Sequence, residues 1–267
     1  MPDQYLAPRG DSFVLSKYDP EFTFGKSEAE THALLERNRT RIAELQNILY
    51  AESKRSLLIV LQSMDTGGKD PIIRDVLSSA NPQACRVTAF KKASASEKKR
   101  GQFWRFFQEV PALGEIGAFN RSYYDELIRH HAHDDISAAE REASYRRILL
   151  FEQLLVESGT TIVKLFLHIS KAEQKRRLQA RMDNPERHWE LSEADFEERK
   201  YWDGYMRAYE EAIRHTNVDY APWYVITSDK SWYRDAAASV IVAEVLQRMN
   251  PQFPPPKVDL SSVELVD

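Results

Sequence analysis

The segment at residues 61–70, Leu-Gln-Ser-Met-Asp-Thr-Gly-Gly-Lys-Asp, places two glycines and a lysine directly after an apolar run. The run at 57–61, Leu-Leu-Ile-Val-Leu, predicts a strand buried on both faces, and helix-forming residues follow the loop. In such a loop the glycines let the backbone approach an anion. The N–H groups at the helix N-terminus point at its oxygens, and a lysine adds positive charge. Gly67, Gly68 and Lys69 therefore predict a phosphate-binding loop.

This loop departs at two places from the usual pattern G-x-x-x-x-G-K-[ST]. Ser63 stands where the first glycine would be, and Asp70 stands where the hydroxyl residue would be. The alternative is an ordinary Gly-Gly turn with a solvated Lys69, because such turns are common between a strand and a helix. The loop by itself does not decide between these interpretations.

Composition bounds the class of protein. The 267 residues are 42% hydrophobic and 29% charged, which suits one large α/β domain or two small ones. The net charge of −4 argues against a general affinity for nucleic acid or anionic membranes, and no apolar run reaches the roughly 18 residues of a membrane span. The first residues lack a signal peptide, and the single Cys85 excludes an internal disulfide. These features predict a cytoplasmic protein with neither a nucleic-acid nor a membrane partner.

Two local basic clusters stand out against this acidic background. The first lies between residues 86 and 105 and the second between residues 171 and 187. Their members are Arg86, Lys91, Lys92, Lys98, Lys99, Arg100 and Arg105 in the first, and Lys171, Lys175, Arg176, Arg177, Arg181 and Arg187 in the second. Such clusters can focus a polyanion into one place, although solvated helix faces are the simpler alternative for either one alone.

The remaining chain alternates helices and strands. Residues 1–26 predict an extended arm laid over the domain, and residues 251–267 a proline-rich tail. Further strands are expected at 86–90, 114–119, 161–169 and 222–227, and helices at 27–50, 94–110, 137–157, 173–182, 192–215 and 232–249. His130, His131 and His133 invite a metal interpretation, but their spacing favours a polar loop.

Polar residues follow the second and third of these strands. Lys91 and Lys92 come after the second, and Asn120, Arg121 and Ser122 come after the third. In a parallel sheet these ends gather beside the phosphate loop, although Asn-Arg-Ser could equally well cap the next helix. The two helices between the fourth and fifth strands, at about 170–215, predict a mobile lid, which phosphoryl transfer needs to exclude water.

With these elements in place, the chain resembles the polyphosphate kinase 2 family from about residue 27 to residue 256. The motifs that carry the resemblance are Leu-Gln-Ser-Met-Asp-Thr-Gly-Gly-Lys-Asp (61–70), Asn-Pro-Gln (81–83), Phe-Lys-Lys-Ala-Ser (90–94), Gly-Glu-Ile-Gly-Ala-Phe-Asn-Arg-Ser-Tyr-Tyr (114–124), Leu-His-Ile-Ser-Lys-Ala-Glu-Gln-Lys-Arg-Arg-Leu (167–178) and Ala-Pro-Trp-Tyr-Val-Ile (221–226).

The resemblance implies a three-layer α/β fold of the P-loop kinase type. Such a fold has a five-stranded parallel sheet, helices on both faces and a helical lid, here within a kinase domain at 27–250. It also implies reversible, Mg²⁺-dependent phosphoryl transfer between inorganic polyphosphate and nucleotides, with Mn²⁺ as a substitute metal, in a homodimer or homotetramer. Gly-Lys-Asp in the loop and Phe-Asn-Arg-Ser after the third strand resemble class III, whose members phosphorylate AMP and ADP and so also form ATP.

The resemblance further implies roles for individual residues. Asp65, Lys69 and Arg121 would be catalytic, with Asp65 holding the metal and Arg121 clamping the donor and acceptor phosphates. Phosphate and polyphosphate contacts would come from Gly67, Gly68, Lys69, Asp70, Lys91, Lys92, Arg105, Arg177 and Arg181, the last two closing from the lid. Nucleotide contacts would come from Asn120, Arg121, Tyr124 and Asp125.

Three residues depart from the family's pattern. Pro71 replaces a glycine and has no N–H to donate. Asn120 is a neutral amide where the diphosphate-specific branch has aspartate, and Asp125 replaces glutamate. Two rival functions remain open at this stage: a nucleotide kinase or hydrolase that uses ATP alone, and a catalytically silent protein that binds polyphosphate or nucleic acid.

Overall fold

A computed structural model describes residues 2–259, 261 and 263. Five strands form one parallel sheet in the order β2-β3-β1-β4-β5. The strands are β1 Ser56–Gln62, β2 Cys85–Ala89, β3 Ile116–Asn120, β4 Thr160–His168 and β5 Trp223–Thr227. Every residue of β1 is buried, because β1 lies at the centre of the sheet and is covered on both faces. The carboxyl ends of all five strands therefore meet at one edge.

Ten α-helices are described. They are α1 Glu28–Glu52, α2 Lys69–Val76, α3 Ala95–Lys98, α4 Trp104–Phe107, α5 Asp125–Ala132, α6 Ala138–Glu157, α7 Lys171–Met182, α8 Glu193–Glu198, α9 Trp202–Thr216 and α10 Ser231–Met249. Helix α1 begins at Ser27, whose side chain accepts from the Glu30 N–H while the Glu30 carboxylate accepts from the Ser27 N–H. No helix within the described residues is long and apolar enough to cross a bilayer.

The helices lie on both faces of the sheet and close two hydrophobic cores. Helices α1, α2 and α10 cover one face, and their shared core includes Ile42 and Ile241. Helices α5, α6 and α9 cover the other face around Tyr124, Ile148 and Trp223. The predicted α/β class, with five parallel strands and helices on both faces, is confirmed.

The N-terminal segment lies across the domain in three short 3₁₀ turns. Phe13 and Leu15 are buried in the core of the second face, and the Ala7 N–H donates to Trp223 O at 2.9 Å. Residues 18–22 then cross the carboxyl ends of two strands, where Tyr18 O accepts from His168 and Phe22 O accepts from Thr227. The segment thus closes the β4–β5 half of the sheet's carboxyl edge.

Two predicted helices are each broken. The prediction of a single helix at 94–110 is wrong. Helices α3 and α4 are separated at Gly101, because its φ of +89° is incompatible with a right-handed helix. The single helix expected at 192–215 is also wrong, because a 3₁₀ turn at Arg199–Tyr201 separates α8 from α9.

The polar loop expected around His130 and His131 is a helix instead. Both residues belong to α5, because Leu127, Ile128 and Ala132 give that segment a buried apolar face.

The predicted lid segment at 170–215 divides into two parts. Helix α9 is packed into the core, and Gly204 lies so close to α5 that a Cβ atom there would stand 2.2 Å from Ala132 O. Helix α7, the 3₁₀ turn Pro185–Glu190 and α8 form the outer part. Beyond α10, residues 251–256 have no helix or strand, and residues 260, 262 and 264–267 of the predicted tail lie outside the described residues.

Candidate active site

The loop between β1 and α2 has the backbone of an anion site. Gly68 is the N-cap residue of α2 and has a φ of +109°, and Thr66 is also left-handed with a φ of +63°. The Gly67 N–H turns inward and donates to Met64 O at 3.1 Å. The N–H groups of Lys69 and Asp70 belong to the first helical turn and have no intrahelical acceptor. An anion at this end of α2 would accept from these two groups, while Pro71 adds none.

Lys69 is held inside the loop and is only 7% exposed. Its Nζ lies 3.2 Å from both Ser63 O and Ser63 Oγ and 3.4 Å from Met64 O. Burial lowers the pKa of this ammonium, although the charge of Asp65 opposes the shift. The alternative of a solvated lysine in an ordinary turn is therefore wrong.

Asp65 links the loop to the third strand. Arg121 Nη2 donates to Asp65 Oδ1 at 2.8 Å, and the Asp65 side chain is 26% exposed. Burial by itself would raise the pKa of Asp65, but the charges of Lys69 and Arg121 outweigh it and lower the pKa. Asp65 is thus a half-buried carboxylate at the mouth of the loop, next to two cations.

A second carboxyl group meets Asp65, and the sequence reasoning missed it. Asp195 of α8 lies within hydrogen-bonding contact of Asp65, and burial together with the Asp65 charge raises the pKa of Asp195. Asp195 Oδ2 also accepts from the Ser192 N–H at 2.8 Å. The spacing Ser192-x-x-Asp195 signals only a helix cap, so nothing local in the sequence points to Asp65. Two carboxyl groups in contact need a proton or a cation between them.

Asn120 and Asp70 join the end of β3 to the first turn of α2. Asn120 Nδ2 donates to Asp70 Oδ1 at 2.6 Å. Arg121 follows with a φ of +65°, and its side chain is 47% exposed. The predicted convergence of these residues beside the phosphate loop is thus present, with Arg121 as its most accessible cation.

Tyr124 does not belong to the site surface, in contrast to its expected place among the nucleotide contacts. It is 0% exposed, and its hydroxyl lies 2.9 Å from both Glu152 Oε1 and Thr216 Oγ1. A side chain without exposed surface has none to offer a nucleotide, so we reassign Tyr124 to the core. Asp125 is half-buried, and its carboxylate accepts from the Ser122 N–H and from Gln62 Nε2. The Asp125 carboxylate thus caps the turn that follows Arg121.

The basic residues of the first cluster lie on and after β2, the edge strand of the sheet. Lys91 and Lys92 are exposed directly after β2, which is two strands away from β1. Arg105 is half-buried, and its guanidinium stacks 5.0 Å from the ring centres of Phe90 and Phe106. Lys91, Lys92 and Arg105 form a basic margin at the carboxyl end of β2.

The two arginines expected to close from the lid have protein partners. Arg177 donates to Thr66 O at 2.9 Å and to Ser228 O at 2.6 Å, so it holds the phosphate loop from the side of α7. Arg181 pairs with Glu190 at 3.0 Å within the outer lid segment. In this conformation Arg177 supports the loop, and Arg181 is not brought to it.

Comparison with known proteins places this site in a family. The family model described as Polyphosphate kinase 2 matches residues 25–254. The AMP/ADP-polyphosphate phosphotransferase of Meiothermus ruber is 44% identical over 257 residues, which cover 95% of this chain and 96% of that protein. The ADP-polyphosphate phosphotransferase of Rhodopseudomonas palustris is 40% identical over 264 residues, covering 94% and 91%.

A solved structure agrees with these matches. The crystal structure of polyphosphate kinase 2 from Arthrobacter aurescens TC1 superposes with a TM-score of 0.93 at 41% identity and covers 98% of this chain and 94% of that one. The resemblance carried by the motifs at 61–70, 90–94 and 114–124 is confirmed. The chain belongs to the polyphosphate kinase 2 family.

Proposed function

We propose that this protein transfers the terminal phosphoryl group of inorganic polyphosphate to ADP and to AMP in a reversible reaction. The observation that carries the proposal is the bridge from Arg121 to Asp65, which sets a half-exposed guanidinium between the phosphate loop and the end of β3. Relatives with 44% and 40% identity bear the names of AMP/ADP- and ADP-polyphosphate phosphotransferases, which supports both acceptors.

The residues of the loop suit the electrostatic demands of phosphoryl transfer. Negative charge spreads over the oxygens of the transferring group, so catalysis depends on positioning and on fixed positive charge. Lys69 and the first N–H groups of α2 would hold the donor phosphate. Arg121 would contact donor and acceptor phosphates together, since a guanidinium donates to two groups at once.

Asp65 and Asp195 would hold Mg²⁺, or Mn²⁺ in its place. The two side chains interact directly, and a divalent cation would remove the repulsion that adds to burial in raising the pKa of Asp195. The described residues contain no group of three acidic or histidine side chains placed for a metal ion. Two carboxylates nevertheless suffice for Mg²⁺, which takes its other ligands from phosphate oxygens and water. When bound, the ion would neutralise charge on the phosphate oxygens.

The basic margin at Lys91, Lys92 and Arg105 would bind the rest of the polyphosphate chain. The N-terminal segment closes the β4–β5 half of the carboxyl edge. The polyphosphate would therefore extend from the phosphate loop over β3 and β2. A cytoplasmic location and a homodimeric or homotetrameric state complete the proposal. Leu150 and Leu154 are 60% and 50% exposed one turn apart on α6, which supports self-association.

The test is to incubate the protein with Mg²⁺, polyphosphate and either ADP or AMP and to measure the nucleotides formed. ATP from ADP and ADP from AMP are expected, and the absence of ATP from ADP would overturn the proposal. ATP formed equally well from ADP without polyphosphate, together with one AMP per ATP, would instead favour a nucleotide kinase that transfers the phosphoryl group between two nucleotides.

Lys69→Met should abolish transfer and leave the thermal midpoint nearly unchanged. Lys257→Met, at an exposed residue of the C-terminal segment, is the matched control and should keep full activity.

A further inference from the structure

Arg234 lies against the phosphate loop at Gly68. It belongs to the first turns of α10 and is only 3% exposed. A Cβ atom at Gly68 would stand 2.1 Å from Arg234 Nη1, so the guanidinium is in contact with the N-cap residue of α2. An arginine is therefore buried directly beside the end of α2 that would receive the donor phosphate.

The orientation of this guanidinium is fixed by its neighbour. Arg234 Nε and Nη2 donate to the two carboxylate oxygens of Asp235 at 2.8 Å and 2.9 Å. Within the described part of the chain no hydrogen bond of Arg234 uses Nη1. The guanidinium thus directs Nε and Nη2 towards Asp235 and directs Nη1, which has no hydrogen bond among the described residues, towards Gly68.

Arg234 adds to the positive charge around the phosphate loop. Arg177 is close enough for the charge of Arg234 to lower its pKa, which adds to a larger effect of burial. Burying two guanidinium groups beside one loop is unfavourable unless anions compensate them. Glu173 pairs with Arg177, Asp235 pairs with Arg234 and Asp65 lies beside Lys69, so an additional anion would meet cations that are already held in place.

We propose that Arg234 is a phosphate-binding residue of the donor site, whose Nη1 donates to an oxygen of the polyphosphate group bound at the N-terminus of α2. Asp235 acts as a positioning residue that holds the guanidinium in this orientation. This inference rests on the proposed function, because it takes inorganic polyphosphate as the anion. It adds to the loop a cation that is about 170 residues away in the sequence.

A purely structural role for Arg234 makes different predictions. Gly68 has a φ of +109°, which favours glycine whether or not Arg234 is present. If Arg234 only filled the space beside Gly68, the volume of its side chain would matter and its charge would not. Arg234→Met keeps most of that volume and removes the charge. Arg234→Gln is a second uncharged variant that retains a polar end for Asp235.

The test measures binding of tripolyphosphate by calorimetry in the absence of nucleotide, together with kcat and the KM values for polyphosphate and ADP. Arg234→Met and Arg234→Gln should weaken tripolyphosphate binding and raise the KM for polyphosphate about tenfold or more, as expected for one hydrogen bond to a charged group. The KM for ADP should stay unchanged. Arg234→Lys should recover part of the affinity.

Arg214→Met is the matched control. Arg214 also pairs with a neighbouring carboxylate, Glu210, and donates to Phe13 O, away from the loop. It should lower the thermal midpoint without changing tripolyphosphate affinity.

Wild-type affinity in a folded Arg234→Met or Arg234→Gln variant would overturn the proposal, as would a parallel change of both KM values. Wild-type protein that binds tripolyphosphate but transfers no phosphoryl group would contradict the proposed function alone.

Discussion

Ser63 shows how one residue of the phosphate loop accommodates a departure from the usual pattern. Its Oγ lies 3.2 Å from Lys69 Nζ and donates to Met64 O at 2.6 Å, so the hydroxyl is part of the loop's internal hydrogen bonds. A Cβ atom at Gly67 would lie 2.2 Å from that Oγ. A serine at position 63 therefore makes a glycine at position 67 a steric requirement, which the sequence pattern alone does not reveal.

The pair formed by Asn120 and Asp70 gives a test at this scale. Asn120→Asp would replace the donor on Asp70 by a second carboxylate, and two carboxylates in contact cannot both ionise at low cost. We expect a loss of roughly 1–3 kcal/mol of unfolding free energy at pH 8 and a smaller loss at pH 5. Urea unfolding in the presence of a chelator measures both values.

The reversed pair is the control for this test. Combining Asp70→Asn with Asn120→Asp restores one donor and one acceptor and should recover most of the stability. If the double variant is as unstable as Asn120→Asp alone, the hydrogen bond between the two side chains is not the cause.

His168 gives a pH dependence. Burial lowers the pKa of His168 from 6.5 to about 4, although the Tyr18 carbonyl that accepts from its ring opposes the shift. Above pH 6.5 the ring is neutral in both the folded and the unfolded chain. As the pH falls from 6.5 to 4 the unfolded chain binds the proton first, so up to about 3 kcal/mol of stability is lost.

His168→Gln should make the unfolding free energy flatter between pH 6.5 and pH 4, as measured by urea unfolding at several pH values. His32→Gln, at an exposed histidine of α1, should leave the pH dependence unchanged. A His168→Gln variant with the wild-type slope would assign the titration to another group.

Individual residues of the site were predictable to different degrees. Lys69 and Arg121 were predictable because a buried strand followed by polar residues marks the carboxyl edge of a parallel sheet, whereas Asp65 was predicted only from the resemblance to the polyphosphate kinase 2 family. Asp195 and Arg234 were not, because each meets the loop through tertiary packing from a helix more than 120 residues away. Tyr124 was misplaced because a tyrosine beside site residues carries no sequence mark that distinguishes a core position from an exposed one.

At the scale of the elements, a buried ion pair joins β4 to α6. Lys164 and Glu152 are 2.8 Å apart and 0% exposed, and Glu152 Oε1 also lies within 3.0 Å of the hydroxyls of Tyr123 and Tyr124. These two tyrosines come shortly after Arg121, whose left-handed backbone is thereby followed by a firmly anchored turn. The core of the second face thus supports the site through a polar network.

Breaking this pair from one side should be strongly destabilising. Lys164→Met leaves Glu152 buried without its cation, and a loss of about 3–5 kcal/mol of unfolding free energy is expected. Adding Glu152→Gln removes the unpaired charge while keeping an acceptor for the tyrosine hydroxyls, so the double variant should be more stable than the single one. Equal stability of the two variants, by urea unfolding, would contradict a dominant role for the charge.

The elements that were predicted correctly have local sequence patterns that are typical of a single type of secondary structure. The continuous apolar run of β1, the β-branched and apolar residues of β4 and the capping box at Ser27 are local signals. The breaks at Gly101 and at Arg199–Tyr201 were missed because the aromatic residues on either side continue a helical apolar pattern. Packing of α9 against α5 at Gly204, which no local pattern encodes, separates the core helix from the outer lid segment.

At the scale of the whole molecule, the N-terminal segment is an integral part of the domain. Phe13 is 0% exposed and packs against Tyr18, with ring centres 5.4 Å apart.

Phe13→Ala should lower the free energy of unfolding by about 3–5 kcal/mol through lost burial and the cavity left behind. Phe253→Ala, at a residue that is 63% exposed, is the matched control and should change it by less than about 0.5 kcal/mol. A loss below about 1 kcal/mol for Phe13→Ala, by thermal or urea unfolding, would show that the segment is only loosely attached.

The attachment of this segment also fixes an order of events during synthesis. Leu6 forms a bridge with Tyr224, and the Ala7 N–H donates to Trp223 O, so residues 6 and 7 depend on a strand made more than 200 residues later. Strand β1 likewise cannot form hydrogen bonds along its second edge until β4 has been synthesised, because β4 is its neighbour on that side. Since such distant contacts form only after the intervening chain exists, the N-terminal segment leaves the ribosome without its partner. The domain can therefore complete its hydrophobic core only after β5 has been synthesised.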